Sequence, residues 1–108
     1  MRRLGMWLAL WACSGPGPVG DAARGAALYR AHCALCHGAR GDGRGVRREG
    51  LSTPPRDFRD PAWRPRASDV AAAIRRGVRG TAMSAWPALS DGEVADLAAY
   101  VLSLGDGS

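Results

Sequence analysis

The sequence predicts an all-α domain of three to four helices and long loops gathered around a single chemical centre. Three observations carry that prediction. Apolar residues in the second half of the 108-residue chain recur at helical spacing. The middle, Gly38 to Arg66, is rich in Gly and Pro and shows no periodicity at all. Finally, "HCALCHG", His32 to Gly38, gathers two of the three cysteines and both histidines into one short stretch. Aromatics make up only 6% of the chain, so the core of so small a domain looks thin and calls for a staple or a large apolar guest.

The chain opens on "MRRLGMWLALWAC", a basic start followed by an apolar run from Leu4 to Ala12. That run is far below the ~20 residues needed to span a bilayer and suits the apolar core of an export signal, residues 1–13. "LWAC", Leu10 to Cys13, resembles a bacterial lipobox, which makes Cys13 a candidate for lipidation and membrane tethering. Trp11 is bulkier than that motif prefers, and the alternative is an ordinary signal peptide cut after Ala12 or Ser14, with Cys13 incidental. Residues 14–20 read as a flexible linker, 21–105 as the folded domain and 106–108 as a tail. The expected location is the periplasmic side of the membrane.

"DAARGAALYRAHCALCH" reads as one helix ending in the cysteine-bearing turn. "SDVAAAIRRG" reads as a second, with Ser68 as N-cap, Val70, Ala73 and Ile74 as its apolar stripe and Gly77 as its stop. "SDGEVADLAAYVLSLG" is the clearest helix: Ser90 and Glu93 form a capping box, Val94, Leu97, Ala98, Val101 and Leu104 make the stripe, and Gly105 ends it. The net charge of +5 is carried entirely by Arg, with no Lys, a composition typical of a GC-rich genome. Without Arg2 and Arg3 the excess is mild, and no block of like charge argues for a nucleic-acid partner.

Three chemistries use two cysteines at this spacing. A thioredoxin-like redox pair needs a strand before its helix, and the residues before Cys33 look helical. A structural zinc site wants four ligands, and His32 and His37 crowd the same turn as the cysteines. Covalent haem attachment has C-x-x-C-H as its signature, with a geometric reason. Cys33 and Cys36 emerge on one side of a turn, where they can form thioethers to the two vinyl groups of a haem, and His37 follows at once as proximal iron ligand. Met83 is the only methionine outside the leader. It stands in "GTAMSAWP", where Gly80 permits an unusual turn and Pro87 halts any helix, so it is the distal-ligand candidate. A gap-filling core methionine is the alternative.

These motifs, in this order, resemble the class I c-type cytochromes, most closely the small bacterial monohaem kind, from Asp21 to Gly105. "GAALYRAHCALCHG" is similar to the family's first helix and haem turn, "LSTPPRDF" to its proline-containing loop, and "IRRGVRGTAMSAWPALSDGEVADLAAYV" to its helix, methionine loop and C-terminal helix. The resemblance implies the class I cytochrome c fold, wrapped around one covalent haem c. It implies that Gly25 and Tyr29 cross the C-terminal helix near Leu97 and Tyr100. Two positions depart from the family pattern. Ser84 follows the methionine where relatives often have proline, and Val46 stands where a proline carbonyl often accepts the proximal histidine N–H.

Arg56 and Trp63 are candidates for the haem propionates by the same resemblance; a solvated Arg and a core Trp are the alternatives. Arg75, Arg76 and Arg79 form either part of a basic docking face for an acidic redox partner or a solvated helix face. His32 is expected to be exposed. "RGD", Arg40 to Asp42, is a coincidence of an Arg/Gly-rich loop. With His37 and Met83 on the iron, no position is open to substrate, so the expected function is electron transfer in a bacterial respiratory or dehydrogenase chain, not catalysis. The chain would serve as a free monomeric carrier or as a small haem subunit of a larger complex. An open haem for catalysis or gas sensing would require Met83 to be labile.

Overall fold

A computed structural model describes residues 20–105. The export signal, Cys13, nearly all of the expected linker and the tail lie outside the described residues. The elements are α1 (Ala22–His32), α2 (Ala34–His37), a 3₁₀ turn (Val46–Arg48), α3 (Ala67–Arg76) and α4 (Asp91–Leu104). No strand occurs among the described residues, in keeping with the all-α prediction.

Asp21 caps α1, its carboxylate accepting the Ala23 and Arg24 N–H groups at 2.8 and 3.3 Å. The helix expected to run unbroken to His37 divides at Cys33, whose φ of −116° leaves helical geometry. Its carbonyl accepts both the Cys36 and His37 N–H groups, at 3.2 and 3.0 Å, and so starts the short turn of α2.

The start of α3 also differs from expectation. Arg66, not Ser68, is its N-cap, and Ser68 lies inside the helix. The Asp69 carboxylate reaches back to the Arg66 N–H at 2.9 Å and fixes the earlier start. In α4 the expected capping box is present: Ser90 Oγ accepts from Glu93 N–H at 3.1 Å and Glu93 from Ser90 N–H at 2.8 Å. Gly105 ends α4 without turning left-handed, at φ −87°.

The scaffold is the crossing of α1 on α4, with α3 packed on α4 beside it. At the crossing a methyl group on Gly25 would overlap the Asp96 carbonyl and stand 2.8 Å from Tyr100 Cβ, so only glycine allows the approach. Tyr29, fully buried, packs its ring 5.1 Å from that of Tyr100. Tyr100 thus stands at the crossing as expected, Gly25 lies against the Asp96 backbone immediately before Leu97, and Tyr29 and Leu97 share the core. Leu97, 1% exposed, fills the core with Val94, Ala98, Val101, Val70 and Ile74. Burying a leucine this fully stabilises by roughly 1.5–3 kcal/mol.

Asp96 is buried in this interface, accepting the Asp21 N–H at 2.7 Å and Arg24 Nε at 3.1 Å. The Asp21 N–H bond, and then the Arg24 guanidinium, hold its carboxyl below the ordinary carboxylate value. The start of α1 is thereby locked to the middle of α4.

Candidate functional site

Tyr29 links the helix crossing to the cysteine turn. Its hydroxyl donates to the Gly38 carbonyl at 2.6 Å, and burial raises its pKa. The loop that follows folds straight back onto α2. Gly43 N–H donates to the His37 carbonyl at 2.7 Å, Gly45 N–H to the Cys36 carbonyl at 3.0 Å and Phe58 N–H to the Gly41 carbonyl at 2.7 Å. The long unpatterned segment therefore has structure after all, supplied by backbone bonds to the motif rather than by side-chain periodicity.

Those bonds deliver two groups to His37. The Phe58 ring stacks on the imidazole at 4.4 Å between centroids. The Arg56 carbonyl lies 3.2 Å from Nδ1. A carbonyl only accepts, so Nδ1 carries the proton and Nε2 keeps its lone pair in the neutral ring. Burial lowers the His37 pKa, opposed in part by the bond to Arg56, which favours that neutral, ligating form. The residue holding Nδ1 is thus Arg56 and not Val46. Val46 is 79% exposed on the 3₁₀ turn, because the chain runs on past it before the Pro54–Pro55 stretch brings a carbonyl to the ring. The Arg56 guanidinium in turn sits 5.6 Å from the Trp63 ring centroid, and Trp63 packs beside Phe58 at 5.2 Å.

Cys33 and Cys36 are both half-buried and unbridged. Burial, with the nearby Cys36 as the lesser cause, pushes the Cys33 thiol up to about 11, the opposite of an activated redox thiolate. Among the described residues no group of three or more His, Cys, Asp or Glu is arranged to hold a metal ion. The donor chemistry fits a haem: two adjacent thiols for its vinyl groups and an oriented imidazole with a free Nε2.

Met83 stands on the loop between α3 and α4. It is half-buried and belongs neither to the hydrophobic core nor to the apolar side chains packed against it, so it is not a gap-filling core residue. Its backbone is held by Val78 N–H donating to its carbonyl at 3.2 Å, while its own N–H donates to Thr81 Oγ1 at 3.2 Å. Gly80, at φ +80°, makes the turn that glycine suits. Farther along, the Trp86 ring lies 4.9 Å from His32, an exposed residue as expected. Of the three arginines near this loop, Arg75 is engaged with Leu89 and Asp91. Arg76 and Arg79 remain exposed and line an open cleft of about 600 Å³ with Met83.

Residues 20–101 match the sequence model of the family described as cytochrome c oxidase, cbb3-type, subunit III. The chain belongs to this family of c-type cytochromes. It carries covalently bound haem c with its iron, and its chemistry is electron transfer.

Among curated proteins the cytochrome is similar to the thiosulfate dehydrogenase of Allochromatium vinosum, at 33% identity over 90 residues, covering 77% of this chain and 31% of that protein. Among solved structures it resembles a chain of the reducing HAO-like protein complex of Kuenenia stuttgartiensis, with a TM-score of 0.71 and 26% identity over 82% of this chain and 44% of that one. A chain in the sulfane dehydrogenase SoxCD of Paracoccus pantotrophus shares the fold, with a TM-score of 0.55 and 22% identity over 81% of this chain and 44% of that one. The cytochrome thus spans about a third of the curated relative and under half of the structural ones.

Sequence reasoning misses Phe58 and two roles of residues it names for other reasons, the Arg56 carbonyl and the Arg75 brace. Phe58 was legible as the lone apolar residue after "PPRD", but its stacking on His37 depends on a bond between distant backbone groups. The Arg56 carbonyl carries no sequence signal, since every residue has one. The brace from Arg75 to Leu89 and Asp91 hides in a cluster of three arginines that look alike.

Proposed function

We propose that the chain carries its haem on Cys33 and Cys36 through thioethers, with His37 as proximal and Met83 as distal iron ligand, and shuttles electrons as the haem module of a larger redox assembly. The observation that carries this reading is the Arg56 carbonyl on His37 Nδ1, which orients the ring and leaves Nε2 as the ligating atom. When bound, the haem supplies an iron that cycles between ferric and ferrous. The chain's residues do the rest. The bonds of Gly43, Gly45 and Phe58 keep His37 in one orientation, so little has to move when the charge changes. A thioether from Met83 favours the reduced iron and raises the potential. Arg56 and Trp63, stacked in the loop that holds His37, are placed to take the haem propionates.

With His37 and Met83 as the residues that would hold the iron, the domain would leave no site for substrate and would need a redox donor and acceptor. The relatives favour the assembly over a free carrier, because each is more than twice the length of the match and all three are named as a complex or a dehydrogenase. Export to the periplasmic side follows from the leader. No helix among the described residues is long and apolar enough to cross a membrane. The lipobox-like "LWAC" supports acylated Cys13 as a tether. Arg76 and Arg79 offer the remaining basic face for an acidic partner.

Expression alongside haem-attachment machinery tests the site assignment. The intact protein should gain the mass of a single haem that survives denaturation, and Cys33→Ser/Cys36→Ser should lose it. A double variant that still carries covalent haem would overturn the attachment.

A further inference from the structure

The side chain of Arg75 leaves α3 and reaches the far end of the loop that carries Met83. Its Nη1 donates to the Leu89 carbonyl at 2.7 Å, and its Nη2 pairs with the Asp91 carboxylate. One residue earlier, the Ile74 carbonyl accepts the Trp86 N–H at 2.9 Å. Neighbouring residues of α3 therefore clasp the returning strand of the loop at two points. The outgoing strand touches it as well, since a Cβ on Gly77 would stand 2.7 Å from the Met83 carbonyl.

The two Arg75 contacts are unequal. Asp91 is fully exposed, whereas the Arg75 side chain is 31% exposed. The ion pair is therefore screened by water, and the charge-assisted bond to the Leu89 carbonyl is the stronger link. The segment it controls has a weak point. Ser84 follows Met83 directly, is exposed and leaves φ free, where a proline would fix it. Nothing in the Gly77–Trp86 stretch belongs to the buried core, and its internal bonds are short-range. Its position relative to the rest of the domain thus depends on the clasp together with Trp86, which packs against the edge of the core and on His32.

We propose that Arg75 is a positioning residue for the Met83 thioether, holding the methionine loop closed so that the sulfur stays on the iron. The proposal rests on Met83 being the distal ligand. Without the brace the loop loses its link to α3 beside Leu89, whose own side chain stays in the core; the sulfur leaves more often, and the sixth site opens to exogenous ligands. The sequence shows Arg75 as one of three similar arginines; the structure singles it out as the one withdrawn from docking.

The test compares holoprotein of the wild type with Arg75→Gln, Arg75→Lys and Asp91→Asn. Four readouts apply: the sulfur-to-iron charge-transfer band of the ferric form, the midpoint potential, carbon monoxide binding by the ferrous form, and amide exchange at Val78 and Trp86. In Arg75→Gln the band should weaken, the potential fall, and carbon monoxide bind roughly tenfold faster or more, the scale of one charge-assisted bond. Trp86 should also lose protection. Arg75→Lys keeps the charge without the fork and should be intermediate, and it carries the test alone if the glutamine variant does not accumulate. Asp91→Asn should stay near wild type.

An Arg75→Gln protein that melts lower yet keeps the wild-type band, potential and carbon monoxide rate would make Arg75 merely structural and end the proposal. If the wild type itself lacks the band and binds carbon monoxide freely, the Met83 assignment fails, and this inference falls with it.

Discussion

The two sides of the haem site are held by different means. On the His37 side, backbone N–H groups of Gly43 and Gly45 bond to the carbonyls of the motif itself, the Arg56 carbonyl fixes Nδ1, and the Phe58 ring covers the imidazole. On the Met83 side, the loop is held by its own short-range bonds and by the clasp from Ile74 and Arg75 at its rim. Several backbone bonds to a half-buried turn resist change together, because each lost partner leaves a partly desolvated group behind. Rim contacts near solvent yield more readily. On the proposed ligand assignment, the proximal side is the more firmly held and the distal side the more adjustable. For an electron carrier, that places control of potential and ligand access on the methionine loop.

The sharpest way to break this comparison is to remove each ligand in turn. His37→Ala should abolish the native haem spectrum, since it removes the imidazole that the Arg56 carbonyl and the Phe58 ring orient. Recovery of a normal spectrum would contradict the proximal assignment. Met83→Ala should still attach haem covalently, but with a lower potential and rapid carbon monoxide binding. Potentiometry and gas titration separate the two outcomes.

The scaffold that sets the sides apart gives smaller effects. Gly25→Ala forces a methyl group into the Asp96 carbonyl, and the crossing must open; overpacking of this kind costs about 1–3 kcal/mol, occasionally more, read as a lower melting temperature. Tyr29→Phe leaves the Gly38 carbonyl without its buried donor and should cost roughly 1–3 kcal/mol. It should also loosen the His37 side while leaving the Met83 loop's amide exchange unchanged. Loss of protection in both regions alike would show that the two are not independently held.

Asp96→Asn should have the smallest effect, and one that depends on pH. The folded state holds the Asp96 carboxyl below its ordinary value, so its contribution is present above about pH 4 and is lost as the pH falls through the depressed folded value. The stability gap between wild type and variant should be widest near neutrality and narrow in acid. A gap that stays constant would remove the charge from the account.

The sequence made the ends of this comparison legible and left the middle dark. "HCALCHG" and Met83 carry side-chain chemistry that few other roles explain, and the capping box at Ser90 and Glu93 is written in adjacent residues. Nothing in "YRAHCALCH" opposes helix, so the sequence reads as one continuous helix; the break at Cys33 is a matter of its dihedral angle. Ser68 was a fair cap by type, but Asp69 reaching back to Arg66 moved the start. Val46 was placed by resemblance in a loop whose path only the fold reveals, and the carbonyl that reaches His37 belongs to Arg56. Asp96 sits in the sequence among apolar stripe residues, where a lone carboxylate reads as solvent-facing. Its partners at Asp21 and Arg24 are remote in the chain.

The most direct measurement is the absorption spectrum of the ferrous holoprotein before and after adding carbon monoxide. The account predicts a low-spin c-type spectrum that the gas leaves unchanged, with His37 and Met83 closing both faces of the iron. An immediate shift on adding the gas would mean that Met83 does not hold the sixth position, and the distal half of the account would be wrong.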